Sequence, residues 1–190
     1  MKRSEINAAY LRAKACFEKN NWTLPPHPRW DITDCGLGRF ATIGLVLINL
    51  AEEPEYSEKL IYLRAKQSTP MHAHKVKKED IICRSGEMAI ELWAGDPRST
   101  ERKAPFKAKK NGVFIPIESG STLQIKAGER ITLEPGVWHA FWSESDESVI
   151  GEVSTANDDV NDNYFLDPNC GRFPGIEEDE PALVRLLSDK

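Results

Sequence analysis

The region between residues 40 and 153 constrains the fold most, because short β-prone runs alternate there with turn residues. In the run 87–93, larger apolar residues recur at every second position, which is the period of a half-buried strand. Many short strands at close spacing favour a sandwich or a barrel. The chain has no βαβ alternation and no internal repeat, so we predict an all-β domain rather than a parallel α/β fold.

The first segment, 1–39, is predicted to be a helix followed by a loop that wraps the domain. Apolar residues recur at three- and four-residue spacing from Ile6 to Phe17, which is the stripe of an amphipathic helix. Ser4 is placed to cap the start of this helix. Prolines and glycines in 24–38 favour an extended loop, because proline removes a backbone donor and cannot continue a helix.

The tail, 154–190, is predicted to be acidic and irregular apart from one short helix. Pro181 suits a first helical turn, so this helix is predicted at 182–187. A lysine-rich stretch at 98–111 is interpreted as a solvated excursion between two strands, with phosphate binding as the less favoured alternative. Because the chain has 190 residues, the three segments are expected to form a single domain.

Composition excludes several classes of function. Charged residues make up 29% of the chain and hydrophobic residues 40%, which is typical of a globular protein. No apolar run reaches the about eighteen residues that a membrane-spanning helix needs, and the start lacks a secretory signal. The net charge of −5 argues against nonspecific nucleic-acid binding. We therefore expect a cytoplasmic protein with no membrane or nucleic-acid partner, whose cysteines are free thiols. These cysteines are Cys16, Cys35, Cys83 and Cys170.

Three of the four histidines lie in patterned surroundings. His72 and His74 are two residues apart at the end of a strand-like run, so their side chains point to one face. Glu79 begins the next apolar run, and His139 follows a Pro-Gly turn. Three imidazoles and one carboxylate suit Mn, Fe, Co, Ni or Zn and leave positions open for water or substrate. The sequence therefore predicts a metal site. The alternative for the H-x-H pair alone is two surface histidines on an edge strand, and His27 is given no function.

The spacing of these ligands resembles the two motifs of the cupin superfamily. Residues 66–86 are similar to the first motif, although Lys66 stands in place of its leading glycine. Residues 128–143 are similar to the second motif, with Pro135 one position late and Ser143 in place of an asparagine. These departures affect turn geometry and leave the ligands unchanged. The resemblance implies a cupin jelly roll, or double-stranded β-helix, with the metal inside.

Segments beyond the metal site resemble the D-lyxose isomerase family. They are 2–7, 138–142, 151–155, 157–159 and 171–174, and together they span almost the whole chain. The resemblance implies aldose–ketose isomerisation of free sugars, D-lyxose to D-xylulose and often D-mannose to D-fructose. It also implies one divalent metal, with Mn²⁺ preferred over Zn²⁺, Co²⁺, Ni²⁺ or Fe²⁺. A homodimer is expected by analogy with other cupins.

This chemistry needs groups that move protons. A base must take the C2 proton and return it to C1, while another group moves the hydroxyl proton. The resemblance places Lys77 and Glu152 at the sugar, and it gives Glu79 an acid/base part beside its role as a ligand. Each has a structural alternative, since lysine runs are usually solvated and Glu152 can pair with a basic residue.

Four further residues are candidates for contacts with the sugar. Asp162 and Arg172 in the tail offer hydrogen bonds to hydroxyl groups. Trp138 and Trp142 offer flat apolar faces to a sugar ring, although aromatic residues on strands more often belong to the core.

Three other functions stay open for a cupin, because the fold alone does not fix the activity. A phosphoglucose isomerase of the cupin type uses a similar ligand set but needs a phosphate site. An iron dioxygenase binds O₂ at the open metal positions. A sugar-binding or regulatory cupin binds its ligand without turnover.

Overall fold

The structure is a computed structural model that describes residues 1–155, 158, 161–171 and 175–189. Within these residues it contains one α-helix and thirteen β-strands. The helix is α1 (Arg3–Lys19). The strands are β1 (Arg29–Thr33), β2 (Leu45–Glu52), β3 (Tyr56–Arg64), β4 (His72–His74), β5 (Glu79–Ser85), β6 (Glu87–Trp93), β7 (Pro105–Lys110), β8 (Val113–Glu118), β9 (Ser121–Lys126), β10 (Arg130–Leu133), β11 (Trp138–Ser143), β12 (Glu147–Thr155) and β13 (Asn163–Phe165).

The strands form two antiparallel sheets that pack face to face as a cupin jelly roll. The larger sheet has eight strands in the order β1-β2-β3-β12-β5-β10-β7-β8, and the smaller has five in the order β13-β4-β11-β6-β9. Both sheets contribute buried apolar side chains to the space between them, among them Ile81, Leu92, Ile125 and Phe141. The predicted all-β fold with a preceding helix is therefore confirmed.

A second apolar core lies on the outer face of the larger sheet, where α1 packs. The helix buries Ile6 and Phe17 there, beside Trp30 of β1 and Ile48 of β2. Because strand residues alternate in direction, Leu47 joins the inner core while Ile48 faces the helix. The two cores thus share one sheet, and the apolar stripe predicted for the helix is confirmed.

The helix begins one residue before the predicted cap. Its first residue is Arg3, and the backbone N–H of Lys2 donates to the Glu5 carboxylate at 2.9 Å. Ser4 does not cap the helix, because its hydroxyl donates to Asp179 in the tail at 2.7 Å. Tertiary contact with the tail therefore replaces the predicted local cap.

The short helix predicted at 182–187 is wrong. The chain stays irregular there because partners outside the segment satisfy its backbone groups. The N–H of Leu183 donates to the Asn7 side chain at 3.0 Å, and Leu186 forms a bridge with Trp30. These bonds hold the irregular tail along α1 and β1.

Two segments predicted to be loops contain strands. Residues 24–38 include β1, which pairs with β2, and 98–111 include β7, which forms a hairpin with β8. The strands β1 and β13 thus lie outside 40–153, and β12 runs on to Thr155. The division into 1–39, 40–153 and 154–190 stays a prediction.

Two expectations about the whole chain can be compared with the described residues. No helix among them is long and apolar enough to cross a membrane. The four cysteines form no disulfide among the described residues, as predicted, with Cys16, Cys35 and Cys83 buried and Cys170 half-buried.

Candidate active site

The four predicted metal ligands meet between the two sheets. The short strand β4 carries His72 and His74 on one face, and His139 on β11 lies directly opposite His72. Glu79 is the first residue of β5, after the turn that follows β4. The ligand atoms of these four side chains all lie within 4.8 Å of one another. The structure therefore brings together the set that the sequence predicted.

Backbone carbonyl groups orient two of the imidazole rings. His72 Nδ1 lies 2.8 Å from the Pro70 carbonyl oxygen, and His139 Nδ1 lies 3.1 Å from the Val137 carbonyl oxygen. A ring that donates through Nδ1 keeps the lone pair of Nε2 free for a cation. Burial and the neighbouring imidazoles hold the pKa of His72 well below its usual value, so this ring stays neutral.

The buried polar atoms at the centre of this group fit a divalent cation. His74 Nε2, His139 Nε2 and Glu79 Oε1 have no hydrogen-bond partner, although Glu79 Oε1 lies 3.3 and 3.0 Å from the two nitrogens. Unsatisfied buried polar atoms are costly, and nitrogen lone pairs that face an anionic oxygen repel it. A cation between them satisfies all three atoms at once, so the donor set is compatible with a metal site.

A buried network of charges lies beside the ligands. Lys77 Nζ is 2.9 Å from Glu79 Oε2 and 2.9 Å from Glu152 Oε1. Lys59 Nζ is 3.2 Å from the same oxygen of Glu152. All four side chains are at most 9% exposed. The predicted neighbourhood of Lys77, Glu79 and Glu152 is thus observed, and Lys77 is a buried residue rather than part of a solvated run.

The charges of this network set the protonation of its members. Burial alone would raise the pKa of Glu152, but Lys59 and Lys77 lower it below its usual value. Burial would likewise lower the pKa of Lys77, but Glu152 and Glu79 raise it above its usual value. At neutral pH the network therefore holds ionised carboxylates beside a protonated Lys77.

Asp162 makes its contacts to the protein rather than to open space. Its carboxylate accepts hydrogen bonds from the backbone N–H groups of Val76 and Lys77 at 2.7 and 3.1 Å. One of its oxygens lies 3.6 Å from His74 Nδ1. These contacts hold the turn before β5 against a metal ligand, and direct binding of a sugar by Asp162 stays a prediction.

The two tryptophans lie away from the cavity that the ligands line. Along β11, His139 and Phe141 point into the barrel, so the alternation of the strand turns Trp138 and Trp142 outward. Trp138 packs against Ala73 in a small cluster on the outer side of the five-stranded sheet. The proposed stacking of a sugar on these rings is therefore not supported. Arg172 lies outside the described residues.

Among the cavity residues that the sequence-based prediction missed, three lie beside the predicted groups. Lys59 on β3 faces inward with Glu152, and Asn163 and Phe165 of β13 line the cavity beside the ligands. The Phe165 ring is stacked against His72 with centroids 6.0 Å apart. The signal for Lys59 was weak, because it follows another charged residue, Glu58, at the polar start of β3, and β13 is too short to give a periodic signal.

The fold and the site together define a cupin with a 3-His-1-Glu group suited to a divalent cation, next to a buried lysine–carboxylate network. The chain belongs to the D-lyxose isomerase family, whose model matches residues 27–190. It is 34% identical to the D-lyxose/D-mannose isomerase of Escherichia coli O157:H7, over 100% of this chain and 98% of that protein. It is 40% identical to the D-lyxose/D-mannose isomerase of Serratia proteamaculans, over 84% of this chain and 75% of that protein.

Solved structures confirm the fold. The L-ribose isomerase of Cellulomonas parahominis, solved with L-psicose, superposes with a TM-score of 0.65 at 17% identity, over 90% of this chain and 94% of that chain. The L-ribose isomerase of Geodermatophilus obscurus superposes with a TM-score of 0.66 at 16% identity, with the same coverage.

Proposed function

We propose that the protein is a metal-dependent isomerase of free sugars that converts D-lyxose to D-xylulose and D-mannose to D-fructose. The observation that carries this proposal is the buried contact of Lys77 with Glu152. Both residues line the same cavity as the four proposed metal ligands. Family membership and the names of the relatives support the choice of sugars.

The residues that would hold the metal are His72, His74, Glu79 and His139. We propose Mn²⁺ as the native ion, and Zn²⁺, Co²⁺, Ni²⁺ and Fe²⁺ also suit these donors. When bound, a divalent ion supplies Lewis acidity that polarises the sugar carbonyl and the adjacent hydroxyl group.

Glu152 and Lys77 supply the proton transfers. Glu152 takes the proton from C2, the electron pair of that C–H bond forms the C1=C2 bond of an enediol, and Lys77 protonates O1. Lys77 then accepts the O2 proton as the C2 carbonyl forms, and Glu152 returns its proton to C1. Each group ends as it began, so one carboxylate and one amine suffice for the conversion. Lys77 also contacts Glu79, so one of the proposed metal ligands lies in direct contact with the proton-transfer pair.

The charges of the cavity favour a free sugar over a sugar phosphate. Among the described residues that line the cavity, the basic side chains are Lys59 and Lys77, and both contact Glu152. With Glu79 included, two cationic and two anionic side chains balance, so uncompensated positive charge here would come from the bound divalent ion, which the sugar carbonyl and hydroxyl oxygens would occupy. A phosphate dianion needs uncompensated positive charge or a cluster of backbone donors.

A homodimer in the cytoplasm completes the proposal. The dimer rests on analogy with other cupins, and cysteines without disulfides among the described residues are compatible with a reducing compartment. Light scattering of the purified protein tests the dimer, which would require about twice the chain mass of 21.4 kDa.

The decisive experiment is a ketose assay on chelator-treated protein with and without added Mn²⁺. Free pentoses and hexoses are compared with their phosphate esters, and oxygen uptake is followed in the same samples. We expect turnover of D-lyxose and D-mannose only with metal, without oxygen uptake. In D₂O, deuterium at C1 of the ketose supports the enediol route. Turnover of phosphate esters alone, oxygen consumption, or sugar binding without turnover would each contradict the proposal.

A further inference from the structure

We propose that Lys59 is a positioning residue for Glu152, which fixes one carboxylate oxygen so that the other faces the sugar. The inference deepens the proposed function and rests on it, since it concerns the base of the same site. Three observations support it: Lys59 is buried inside the barrel, it contacts Oε1 of Glu152, and Lys77 contacts the same oxygen from a different part of the chain.

The placement of Lys59 is unusual for a lysine. Its side chain is 4% exposed, and it has the same parity along β3 as Ile61 and Leu63, which belong to the inner core. Lysine is rarely buried, because an ammonium group loses its hydration there. An apolar residue of similar volume often serves stability as well as a buried ion pair does. A charged side chain at this buried position therefore indicates a functional requirement rather than a contribution to stability.

The sheet register brings the lysine to the base. Lys59 lies directly opposite Glu152 in the antiparallel pairing of β3 with β12. Directly opposed residues have side chains in contact range, so the pair is fixed by two long strands rather than by a loop. Lys59 lines the cavity together with Glu152.

Both ammonium groups contact the same oxygen of the carboxylate. Lys59 Nζ lies 3.2 Å and Lys77 Nζ 2.9 Å from Glu152 Oε1, and the polar contacts that the described residues make to Glu152 all involve this atom. The terminal torsion of a glutamate is otherwise broad. Two donors on one oxygen restrict this torsion and leave Oε2 as the atom available to a substrate proton.

The two lysines have different attachments, which explains why both are needed. Lys77 also contacts Glu79, a metal ligand, and lies on the turn before β5. Lys59 comes from β3, outside this turn, and is held opposite Glu152 by the pairing of β3 with β12. It therefore fixes Glu152 from the sheet, whereas Lys77 fixes it from the turn beside the ligand Glu79.

The test compares Lys59→Met and Lys59→Arg with the parent protein in the presence of Mn²⁺. A misplaced base costs about 10²-fold in rate, so we expect Lys59→Met to lower kcat for D-lyxose by about that factor. The KM and the bound metal should change less than about threefold, since the ligands are untouched. Lys59→Arg keeps the charge and should recover kcat to within about tenfold of the parent. The matched control is Lys107→Met, which removes an exposed lysine from β7.

Folding is followed separately, because a change at a buried site can destabilise the barrel. Should Lys59→Met not fold, Lys59→Leu also removes the donor with a smaller apolar side chain and is expected to show the same loss of kcat. Three results would overturn the inference: a folded variant with kcat within twofold of the parent, a rise in KM with kcat unchanged, or no recovery in Lys59→Arg. A parent protein that does not isomerise free sugars refutes the proposed function instead, whatever the variants do.

Discussion

Replacing Glu152 by glutamine removes the proposed base with the smallest change in shape. Glu152 is buried, and its Oε1 accepts contacts from Lys59 and Lys77. The amide of Glu152→Gln keeps an oxygen that can accept from both ammonium groups, but it cannot take a proton from carbon. The substitution therefore separates positioning, which is largely kept, from basicity, which is lost.

The expected magnitude follows from these contacts. A positioned general base contributes roughly 10²–10⁴-fold, so kcat should fall by that factor, or about 3–5 kcal/mol in activation free energy. The loss of a buried negative charge also costs stability, but Lys77 keeps its contact with Glu79 at 2.9 Å. We therefore expect the free energy of unfolding to fall by about 1–3 kcal/mol, which leaves the protein folded at 25 °C.

The assay measures ketose formation from D-lyxose at saturating Mn²⁺, together with bound metal and the unfolding midpoint in urea. Metal content should equal that of the parent, because none of the four ligands is changed. Glu118→Gln is the matched control, since it makes the same chemical change at an exposed position on β8. It should keep parent values of kcat, metal content and stability.

Two results would refute the assignment of the base. A Glu152→Gln variant that binds metal and turns over D-lyxose at the parent rate would show that another group moves the carbon-bound proton. A large loss of metal together with activity would instead place Glu152 among the groups that hold the metal site together, and the role as base would be wrong as well.

Four further predictions concern the metal, the turn, a glycine and the tail. His139→Ala should weaken Mn²⁺ affinity more than about 100-fold, because removing only a residue that hydrogen-bonds a ligand already weakens metal binding by about 10–100-fold. Full metal occupancy by elemental analysis would contradict this. Asp162→Asn should weaken Mn²⁺ affinity by about 10–100-fold in a metal titration, since its carboxylate lies 3.6 Å from a ligand ring. Gly86→Ala should cost about 1–3 kcal/mol in urea unfolding, because φ is +78° and a Cβ would lie 2.8 Å from a carbonyl oxygen. Arg3→Met should lower the Tm at pH 7, since Arg3 donates to Asp189 at 2.7 Å. Burial would raise the pKa of Asp189, but Arg3 lowers it below its unfolded value, so the Tm difference should shrink as the pH falls below about 4.

The sequence predicted the ligand set because the relevant geometry is local. Residues two apart on a strand share a face, so H-x-H at 72–74 brings two imidazoles together wherever the strand lies. Glu79 lies only a short turn away, and the cupin spacing supplied His139 on a distant strand. The all-β character likewise followed from alternation within single segments such as β6.

The network around the base could not be predicted in the same way. Lys59 faces Glu152 only because β3 pairs with β12 in one particular register, and a shift by one residue would turn either side chain to the other face. Asp162 bonds the turn after β4 only because the chain returns after β12 to add β13 at the edge of the smaller sheet. The tail stays irregular because α1 supplies a partner to one of its backbone groups. By itself the sequence determined the fold class and brought the candidate ligands His72, His74 and Glu79 together, since periodicity and short-range spacing act within one segment, while His139 came from the resemblance to cupins. The tertiary structure alone decided which charges surround the base, because those contacts depend on the pairing of strands far apart in the chain.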